Sequence, residues 1–379
     1  MIAKTAFLDE DVLRQETAAL FASGFTFAGL TAELANERDY VTVEQAGAAI
    51  VVQNFKGELK AFQNICSHQF AKVQVEPRGN RPLMCRYHGW NYDASGYPFG
   101  IPKRSEYRLG DVPRECLSLK PYRVEMCGIF VFVCEPDLPF DLKAFLGSFW
   151  DTLEELSRHI GAEYKFAEIP HRANWKLLVE NVLDNYHCHT LHPETFLADG
   201  FCVKPPEQVI ADGPHSSFHV PRTPTPREEQ ERLRRRFLSH LANRTLTHDS
   251  YFHIFIFPNL FVASTEGTTF FVGQALPQSA GATTLRLRYL EPAGIPARSR
   301  SRQDMVNQTY SENGLKIIVE EDLPVLETVQ QGLAISDKPG FIGEGEVRIR
   351  VWREAYARAM RDGLAAALPE RPPALEAVA

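Results

Sequence analysis

The pattern of hydrophobic and polar positions changes along the chain. Residues 9–23 place apolar side chains at helical spacing after an acidic start, which predicts an N-terminal helix. From about residue 38 the apolar runs become short and are broken by Gly, Pro and Asn, which predicts strands at 40–43, 49–55, 59–64, 89–96, 122–124 and 128–134. Short strands with closely spaced turns indicate a small all-β domain, which ends near a proline-containing linker at 136–139.

The second half of the chain has a different pattern. We predict helices at 141–158, 174–187, 300–333 and 346–366, and strands at 253–263, 268–275 and 283–289. In the last strand Leu285, Leu287 and Tyr289 alternate with Arg286 and Arg288, so one face is expected to be buried and the other to face solvent. This half is expected to form an antiparallel sheet with helices on one side, so that the whole chain belongs to the α+β class.

These elements predict the domain organisation. A chain of 379 residues is expected to form about two domains. We assign 1–37 to an N-terminal helical segment that packs on the second domain, 38–140 to the all-β domain and 141–368 to the α+β domain. The polar, proline-rich tail 369–379 is expected to be disordered.

Composition and charge exclude several classes of partner. The formal net charge is −7, which does not favour binding to nucleic acid or to an anionic membrane surface. No apolar segment approaches the roughly 20 residues that a membrane helix needs, and no secretory signal is present, so we expect a soluble, cytoplasmic protein. In a reducing compartment some of the seven cysteines should be metal ligands and the rest buried.

Two Cys–His pairs in the all-β half form the first candidate site. Cys66 and His68 are separated by one residue, and Cys85 and His88 by two. A structural zinc site usually repeats Cys-x-x-Cys or places two histidines on a helix. A Rieske [2Fe–2S] centre needs two thiolates on one iron and two imidazoles on the other, which these pairs supply. A zinc ribbon variant and a chance scatter of core cysteines and surface histidines are the alternatives.

The two pairs also resemble a known family. Asn64-Ile-Cys-Ser-His68 and Cys85-Arg-Tyr-His-Gly-Trp90 are similar to the Rieske domain of the aromatic-ring-hydroxylating oxygenases. The family commonly has Arg-Gly directly after the first histidine, whereas this chain has Gln69 and Phe70. We expect the departure to change the packing and hydrogen bonding of the first loop but not the four ligands.

The second candidate site lies in the predicted helix that begins at Asn174. Asp184 and His187 are three residues apart and are therefore expected to share a helix face. His192 precedes Pro193, so the helix should end there and place His192 on the turn beyond it. Two histidines and one carboxylate form a facial triad with open positions at which Fe(II) can bind dioxygen. His189 could exchange roles with His187 if the register differs.

The segment from Glu180 to His192 resembles the catalytic segment of the same oxygenase family. By that resemblance His187 and His192 ligate the mononuclear iron, and Asp184 connects this iron with the Rieske cluster of a neighbouring subunit. Asp184 would act by hydrogen bonding to an imidazole. The third ligand is expected in the segment 319–332, which is similar to the family's late helix and whose aspartate matches Asp322, with Glu321 as the substitute.

The resemblance covers roughly residues 10–340 and implies a function. It implies an all-β Rieske domain followed by a catalytic domain of the helix-grip type, in the α subunit of a terminal oxygenase, a class that acts in the breakdown of aromatic hydrocarbons. Electrons from NAD(P)H would arrive through a partner reductase, possibly with a ferredoxin, because the chain has no dinucleotide-binding fingerprint. The reaction would use O₂ to hydroxylate or oxidatively demethylate a small organic substrate, as mono- or dioxygenation, in a homotrimer. The alternatives are a Rieske electron carrier or ligand-binding protein without oxygenase activity, and an iron sensor.

Overall fold

The computed structural model describes residues 2–45, 47–201, 207–224, 232 and 250–368. The tail at 369–379, which we expected to be disordered, lies outside these residues. Within the described part of the chain, no helix combines the length and the apolar composition needed to cross a membrane.

The helices of the described residues are short in the first half of the chain and longer in the second. In chain order they are α1 Glu10–Glu16, α2 Arg114–Leu117, α3 Leu142–Leu146, α4 Phe149–Ser157, α5 Trp175–Leu183, α6 Cys188–Leu191, α7 Arg300–Lys316, α8 Leu323–Ile335 and α9 Val347–Asp362. The single helix predicted for 300–333 is interrupted, because the π-helical turn Ile317–Asp322 separates α7 from α8. Such a turn often marks a functional site.

Residues 17–145 form one compact unit around an antiparallel sheet. Its strands are β1 Thr26–Leu30, β2 Asp39–Gln45, β3 Ala48–Phe55, β4 Glu58–Gln63, β5 Arg78–Asn80, β6 Asn91–Tyr92, β7 Pro98–Gly100, β8 Pro121–Cys127 and β9 Phe130–Cys134. The order in the large sheet is β1-β9-β8-β4-β3-β2-β5, and β6 pairs with β7 separately. The alternating apolar positions of these strands enclose a core that contains Cys66, Cys85 and Trp90.

The structure corrects the predicted N-terminal segment 1–37. Only residues up to Glu16 belong to the α+β unit, and the all-β unit begins at Thr17. In that unit β1 pairs antiparallel with β9, and all five residues of β1 are buried. A single buried strand of five residues has no polar alternation to distinguish it in the sequence, so the prediction was wrong there. The all-β unit also extends to Phe145, beyond the predicted boundary at 140.

The second unit contains the other large antiparallel sheet. Its strands are β10 Ile160–His171, β11 Glu207–Asp212, β12 His215–Pro221, β13 Ser250–Ile256, β14 Leu260–Thr265, β15 Thr269–Ser279 and β16 Ala282–Pro292, in the order β10-β16-β15-β14-β13-β12-β11. Helices α5, α7 and α9 contact β15, β16 and β12. This is the predicted antiparallel sheet with helices packed against it.

The strand β16 differs from its predicted pattern. Arg286 and Arg288 are buried rather than solvent-facing. The reason is β10, a strand that we did not predict, which pairs with β16 and supplies Glu168 at 2.9 Å from the Arg286 guanidinium. Because β16 lies between β10 and β15, both of its edges are hydrogen-bonded, and β10 places Glu168 beside Arg286 and Glu163 beside Arg288, which balances the arginine charges.

A buried ion pair fixes the position of α5. The Lys176 ammonium lies 2.7 Å from the Glu16 carboxylate, and neither side chain is exposed. Trp175 Nε1 and the Tyr356 hydroxyl also donate to Glu16. Three donors therefore satisfy one buried carboxylate, which joins α1, α5 and α9. The C-terminal end of α5 leads directly into the second candidate site.

Candidate functional site

The two Cys–His pairs lie on two loops with matching hydrogen bonds. In the first loop the Cys66 N–H donates to Ala71 O at 2.8 Å, and the Phe70 N–H donates to Cys66 O at 3.0 Å. In the second, the Cys85 N–H donates to Trp90 O and the Gly89 N–H to Cys85 O, both at 2.9 Å. Each cysteine is thus held at the base of a tight loop whose tip carries the histidine.

The loops bring the four predicted ligands together. The His68 and His88 rings are 4.6 Å apart between centroids, and the Cys66 and Cys85 thiols are close enough to influence each other. Both cysteines are buried and neither forms a disulfide. His68 stacks in parallel on Trp90 at 4.9 Å, which fixes the plane of its ring.

This arrangement fits an iron–sulfur cluster. The Nδ1 atom of His68 is buried and has no hydrogen-bond partner among the described residues. An unsatisfied buried nitrogen is costly in free energy unless another group binds it. Burial and the neighbouring His88 lower the pKa of His68, so its imidazole is neutral, as a metal ligand must be. Burial raises the pKa of the Cys66 thiol, and metal binding would supply the compensating charge.

A tyrosine supports the first cysteine. The Tyr92 hydroxyl is 3.0 Å from Cys66 Sγ and accepts a hydrogen bond from the Ser67 N–H at 3.1 Å. Burial raises the pKa of Tyr92 well above its usual value, so the hydroxyl stays protonated and can donate to the sulfur. Hydrogen bonds to the cluster's sulfurs tune its reduction potential. We did not predict this role for Tyr92.

The departure from the family pattern at Phe70 has a structural consequence. Phe70 adopts φ +61°, and Gly89 at the equivalent point of the second loop adopts φ +73°. Glycine is the usual residue in this left-handed region. The Phe70 side chain is 80% exposed, so its ring contributes little burial in return. The first loop therefore keeps the hydrogen bonds of the second loop with a residue that is less suited to its conformation.

In the second site α5 ends earlier than predicted. Its last residue is Leu183, and Asp184 has an extended conformation with ψ 130°. The Asp184 carboxylate accepts the Tyr186 N–H at 2.7 Å, a local bond that competes with continuation of the helix. Asp184 and His187 still meet, with Oδ2 and Nδ1 3.0 Å apart, but across a turn rather than along a helix face. His192 lies just beyond the short helix α6, as its position before proline predicted.

The π-helical turn supplies two carboxylates to one imidazole. Glu321 Oε2 is 2.6 Å from His192 Nδ1, and Asp322 Oδ1 is 3.2 Å from His192 Nε2. Pro324 lacks the N–H that would bond four residues back, which favours the widened turn before it. Two consecutive acidic residues can therefore reach opposite sides of the same ring. Glu321, our substitute for Asp322, instead holds the far nitrogen of His192 and also accepts from Thr195.

Three atoms converge on a point that suits a divalent cation. The two Nε2 atoms of His187 and His192 are 3.2 Å apart, and Asp322 Oδ1 is 3.2 Å from one and 3.6 Å from the other. Ligands at about 2.1 Å from one ion are separated by about 3.0 Å at 90° and about 3.4 Å at a tetrahedral angle. The residues therefore fit a mononuclear metal ion.

Charge in the site also favours a cation. Burial opposes protonation of His192, but its bonds to Asp322 and Glu321 outweigh burial and raise its pKa to about 9. Burial likewise opposes ionisation of Asp184, whose hydrogen bond to His187 nevertheless lowers its pKa. The carboxylates thus attract positive charge to the two rings. A bound metal ion would replace the protons as the source of that charge.

His189, Asn181 and Cys188 lie close to the triad residues along the chain. His189 is exposed, so it does not exchange roles with His187. Asn181 donates to Asp322 Oδ1 at 3.1 Å, and Cys188 places its sulfur within 4.8 Å of the ligand atoms of both histidines. Neither was predicted. Asn181 lies three residues before Asp184 and Cys188 directly after His187, so proximity along the chain was the available signal.

A cavity of about 330 Å³ opens onto the triad. Its wall includes Asp184, His187, His192 and Asp322, and most of the remaining surface is apolar. Phe261, Phe270 and Phe271 contribute aromatic rings to this wall. The volume is in the range of pockets that hold small organic ligands.

Both halves of the chain match described protein families. Residues 153–362 match the ring hydroxylating alpha subunit (catalytic domain), and residues 25–123 match the Rieske [2Fe-2S] domain. The four Cys and His residues of the loops fall in the second range. Asp184, His187, His192 and Asp322 fall in the first.

Individual proteins are similar as well. The glycine betaine monooxygenase oxygenase subunit of Chromohalobacter salexigens is 32% identical over 193 residues, 49% of this chain and 42% of that protein. The anthranilate 1,2-dioxygenase large subunit of Acinetobacter baylyi is 31% identical over 204 residues, 50% of this chain and 42% of that protein. In these matches the chain spans less than half the length of its relatives.

Solved structures share the fold over almost the whole chain. A quaternary ammonium Rieske monooxygenase superposes with a TM-score of 0.76 at 19% identity and covers 95% of both chains. Naphthalene 1,2-dioxygenase with indole bound superposes with a TM-score of 0.73 at 19% identity and covers 96% of this chain and 93% of the other. The all-β domain followed by a sheet-and-helix domain is therefore the architecture of these oxygenases.

Proposed function

The chain belongs to the Rieske non-haem iron oxygenase family of ring-hydroxylating alpha subunits, and on that premise we propose that it is a terminal oxygenase component. It would take electrons from NAD(P)H through a partner reductase, with or without a ferredoxin. It would use O₂ to hydroxylate or oxidatively demethylate a small organic substrate. The convergence of His187, His192 and Asp322 on one point, beside an apolar cavity, carries this proposal.

Each site residue has a proposed role. Cys66, His68, Cys85 and His88 hold the [2Fe–2S] cluster, and His187, His192 and Asp322 hold the mononuclear iron. When bound, the cluster supplies single electrons and the iron binds and activates dioxygen. Carboxylates fix both imidazoles, because Asp184 bonds His187 Nδ1 and Glu321 bonds His192 Nδ1. Both Nε2 atoms are thereby directed to the metal position.

The cavity beside the triad is the proposed substrate-binding site. Its apolar wall, to which Phe261, Phe270 and Phe271 contribute, would bind the substrate and exclude water from the open side of the triad. Asn181 holds Asp322 Oδ1 from the cavity side and limits the movement of that carboxylate. The relatives named for glycine betaine, carnitine and anthranilate act on small molecules, and a substrate of that size suits about 330 Å³.

Metal analysis and oxygen uptake test the proposal. The purified protein should contain about three irons per chain, and the reduced protein should consume O₂ in response to one or more members of a panel of aromatic acids and methylated amines. His187→Ala should lower the iron content by one and abolish uptake. His189→Ala, an exposed imidazole two residues away, should change neither. Two irons in the wild type and no substrate-dependent uptake would instead support an electron carrier.

We further propose that Asp184 connects sites on neighbouring subunits of a homotrimer. The Asp184 side chain is 17% exposed, the His187 side chain 22% exposed, and the intervening Tyr186 81% exposed. The hydrogen-bonded pair Asp184–His187 is therefore accessible from the surface of its own unit. Asp184→Ala should retain both metal centres and lose turnover.

Mixed oligomers test transfer between subunits. A His68→Ala subunit lacks an intact cluster, and a His187→Ala subunit lacks the mononuclear iron, so each variant alone should be inactive. Co-expressed as mixed oligomers, they should regain part of the activity if electrons cross from one subunit to its neighbour. Inactive mixed oligomers would contradict the proposed bridge, and a monomeric protein of full activity would contradict the trimer.

A further inference from the structure

The cysteine beside the iron triad can change the metal preference of the site. Cys188 follows His187 directly and is the first residue of α6. Its Sγ and the ligand atoms of His187 and His192 all lie within 4.8 Å of one another. Cys188 is 6% exposed and lines the cavity onto which the triad opens. The thiol therefore lies beside both imidazoles and borders the cavity.

We propose that Cys188 joins His187, His192 and Asp322 as the fourth ligand of a zinc site that competes with the catalytic iron. Two imidazoles, a carboxylate and a thiolate make a closed set of four, which is the coordination that zinc prefers. Thiolate is a soft ligand that favours zinc over ferrous iron, and zinc binds mixed nitrogen, oxygen and sulfur sites more tightly than Fe²⁺. The proposal rests on the proposed function only in assigning the other three ligands to iron.

The geometry requires a small movement of the sulfur. A nitrogen and a sulfur ligand of a tetrahedral zinc ion, with bonds of about 2.1 Å to nitrogen and about 2.3 Å to sulfur, lie about 3.6 Å from each other. Sγ and the ligand atoms of His187 and His192 lie within 4.8 Å of one another, so Sγ must move by about 1.2 Å at most relative to the imidazoles, beside which Asp322 Oδ1 already lies at 3.2 and 3.6 Å. Rotation about the Cys188 side-chain bond supplies a movement of this size. The long contact from Sγ to Asn185 Oδ1, 3.9 Å, offers little resistance.

Zinc binding would close the site. On zinc binding the Cys188 thiol would release one proton, and its sulfur would add a fourth protein ligand to the metal. Since four protein ligands complete a structural zinc site, no position remains for an exchangeable ligand. The zinc form should therefore be inactive, and zinc should inhibit by displacing iron rather than by binding elsewhere.

X-ray absorption at the zinc edge tests this directly, because the edge is specific to zinc and the cluster can remain in place. Protein that retains its cluster but has lost the mononuclear iron is loaded with one equivalent of Zn²⁺. We expect one sulfur at about 2.3 Å together with nitrogen and oxygen ligands at about 2.0–2.1 Å. In Cys188→Ser the sulfur should disappear, and in Cys188→Ala it should disappear as well, which guards against a folding defect in one variant.

Two controls identify the site. His192→Ala should fail to retain the zinc, whereas Cys116→Ser, which alters an exposed cysteine, should keep the zinc–sulfur signal. The preference for Zn²⁺ over Fe²⁺, measured by competition, should fall at least about tenfold in Cys188→Ser, since even the loss of an outer contact costs that much. Wild-type zinc bound only by nitrogen and oxygen, or a sulfur signal that persists in Cys188→Ser, would overturn the proposal.

These results are independent of turnover. If the protein consumes no O₂ with any substrate but zinc binds through sulfur, the oxygenase proposal fails and the zinc site stands. If turnover is normal and no zinc–sulfur bond forms, only the zinc site fails.

Discussion

Replacing Phe70 by glycine should stabilise the first cluster loop. Phe70 has φ +61°, where a side chain costs about 1–2 kcal/mol. Glycine gains about 0.4–1 kcal/mol of additional freedom in the unfolded chain, which offsets part of this relief. The ring is 80% exposed, so its removal sacrifices little burial. The net gain should be about 0.7 kcal/mol, which corresponds to a change of about threefold in a rate limited by opening of the loop.

The assay is the rate at which an iron chelator removes the cluster from the oxidised protein, followed by the loss of cluster absorbance. Chelator access requires the loop to open, so the rate reports local stability. Phe70→Gly should lose its cluster about threefold more slowly than Phe70→Ala, which removes the same ring but keeps a Cβ. The comparison isolates the backbone from any effect of the aromatic side chain.

The second loop provides the opposite control. Gly89 has φ +73°, and a Cβ there would lie 3.2 Å from Pro102 Cγ. Gly89→Ala should therefore lose the cluster faster than the wild type, by threefold or more for a cost of at least about 0.7 kcal/mol. Equal rates for Phe70→Gly and Phe70→Ala would refute the argument from backbone conformation.

Three further predictions follow from individual contacts. Tyr92→Phe removes the hydrogen-bond donor 3.0 Å from Cys66 Sγ. If the reduced cluster loses about 1 kcal/mol of stabilisation, its reduction potential should fall by about 40 mV in a redox titration. An unchanged potential would contradict the hydrogen bond. Glu321→Ala frees His192 Nδ1 and should weaken metal binding at the triad about 10–100-fold in iron competition, whereas the exposed neighbour Glu320→Ala should not. Lys176→Met leaves the buried Glu16 carboxylate without its cation and should lower the free energy of unfolding by about 3 kcal/mol in a denaturant titration. The double variant Lys176→Met/Glu16→Gln should recover most of that stability. If the losses of the two single variants instead add up in the double variant, the ion pair is contradicted.

The sequence was most informative where chemistry repeats in short motifs. Cys66, His68, Cys85 and His88 were identifiable because two pairs at characteristic spacing must meet to be useful, and the structure brings them together. His192 was placed correctly beyond its helix because proline restricts the residue before it. In these cases the physical constraint acts within a few residues.

Long-range packing was less predictable. Arg286 is buried beside β10, a strand that lies more than a hundred residues earlier in the chain. Buried and exposed positions do not alternate regularly along β10, so the sequence gives no clear strand pattern there. Likewise, the position of Glu321 and Asp322 relative to the metal position depends on a π-helical turn, which directs both carboxylates to the imidazole of His192. Neither the strand partner nor the local winding of a helix is encoded in residue spacing alone.

A single-turnover experiment tests the central claim most directly. Fully reduced protein, prepared without a reductase, is mixed with O₂ and a substrate that stimulates oxygen uptake, and cluster oxidation and product are followed together. We predict that the cluster is oxidised with product formation in the wild type, and that Asp184→Ala, with both metal centres present, gives neither at a comparable rate. Product formation in Asp184→Ala at the wild-type rate, or cluster oxidation in the wild type without product, would contradict the account.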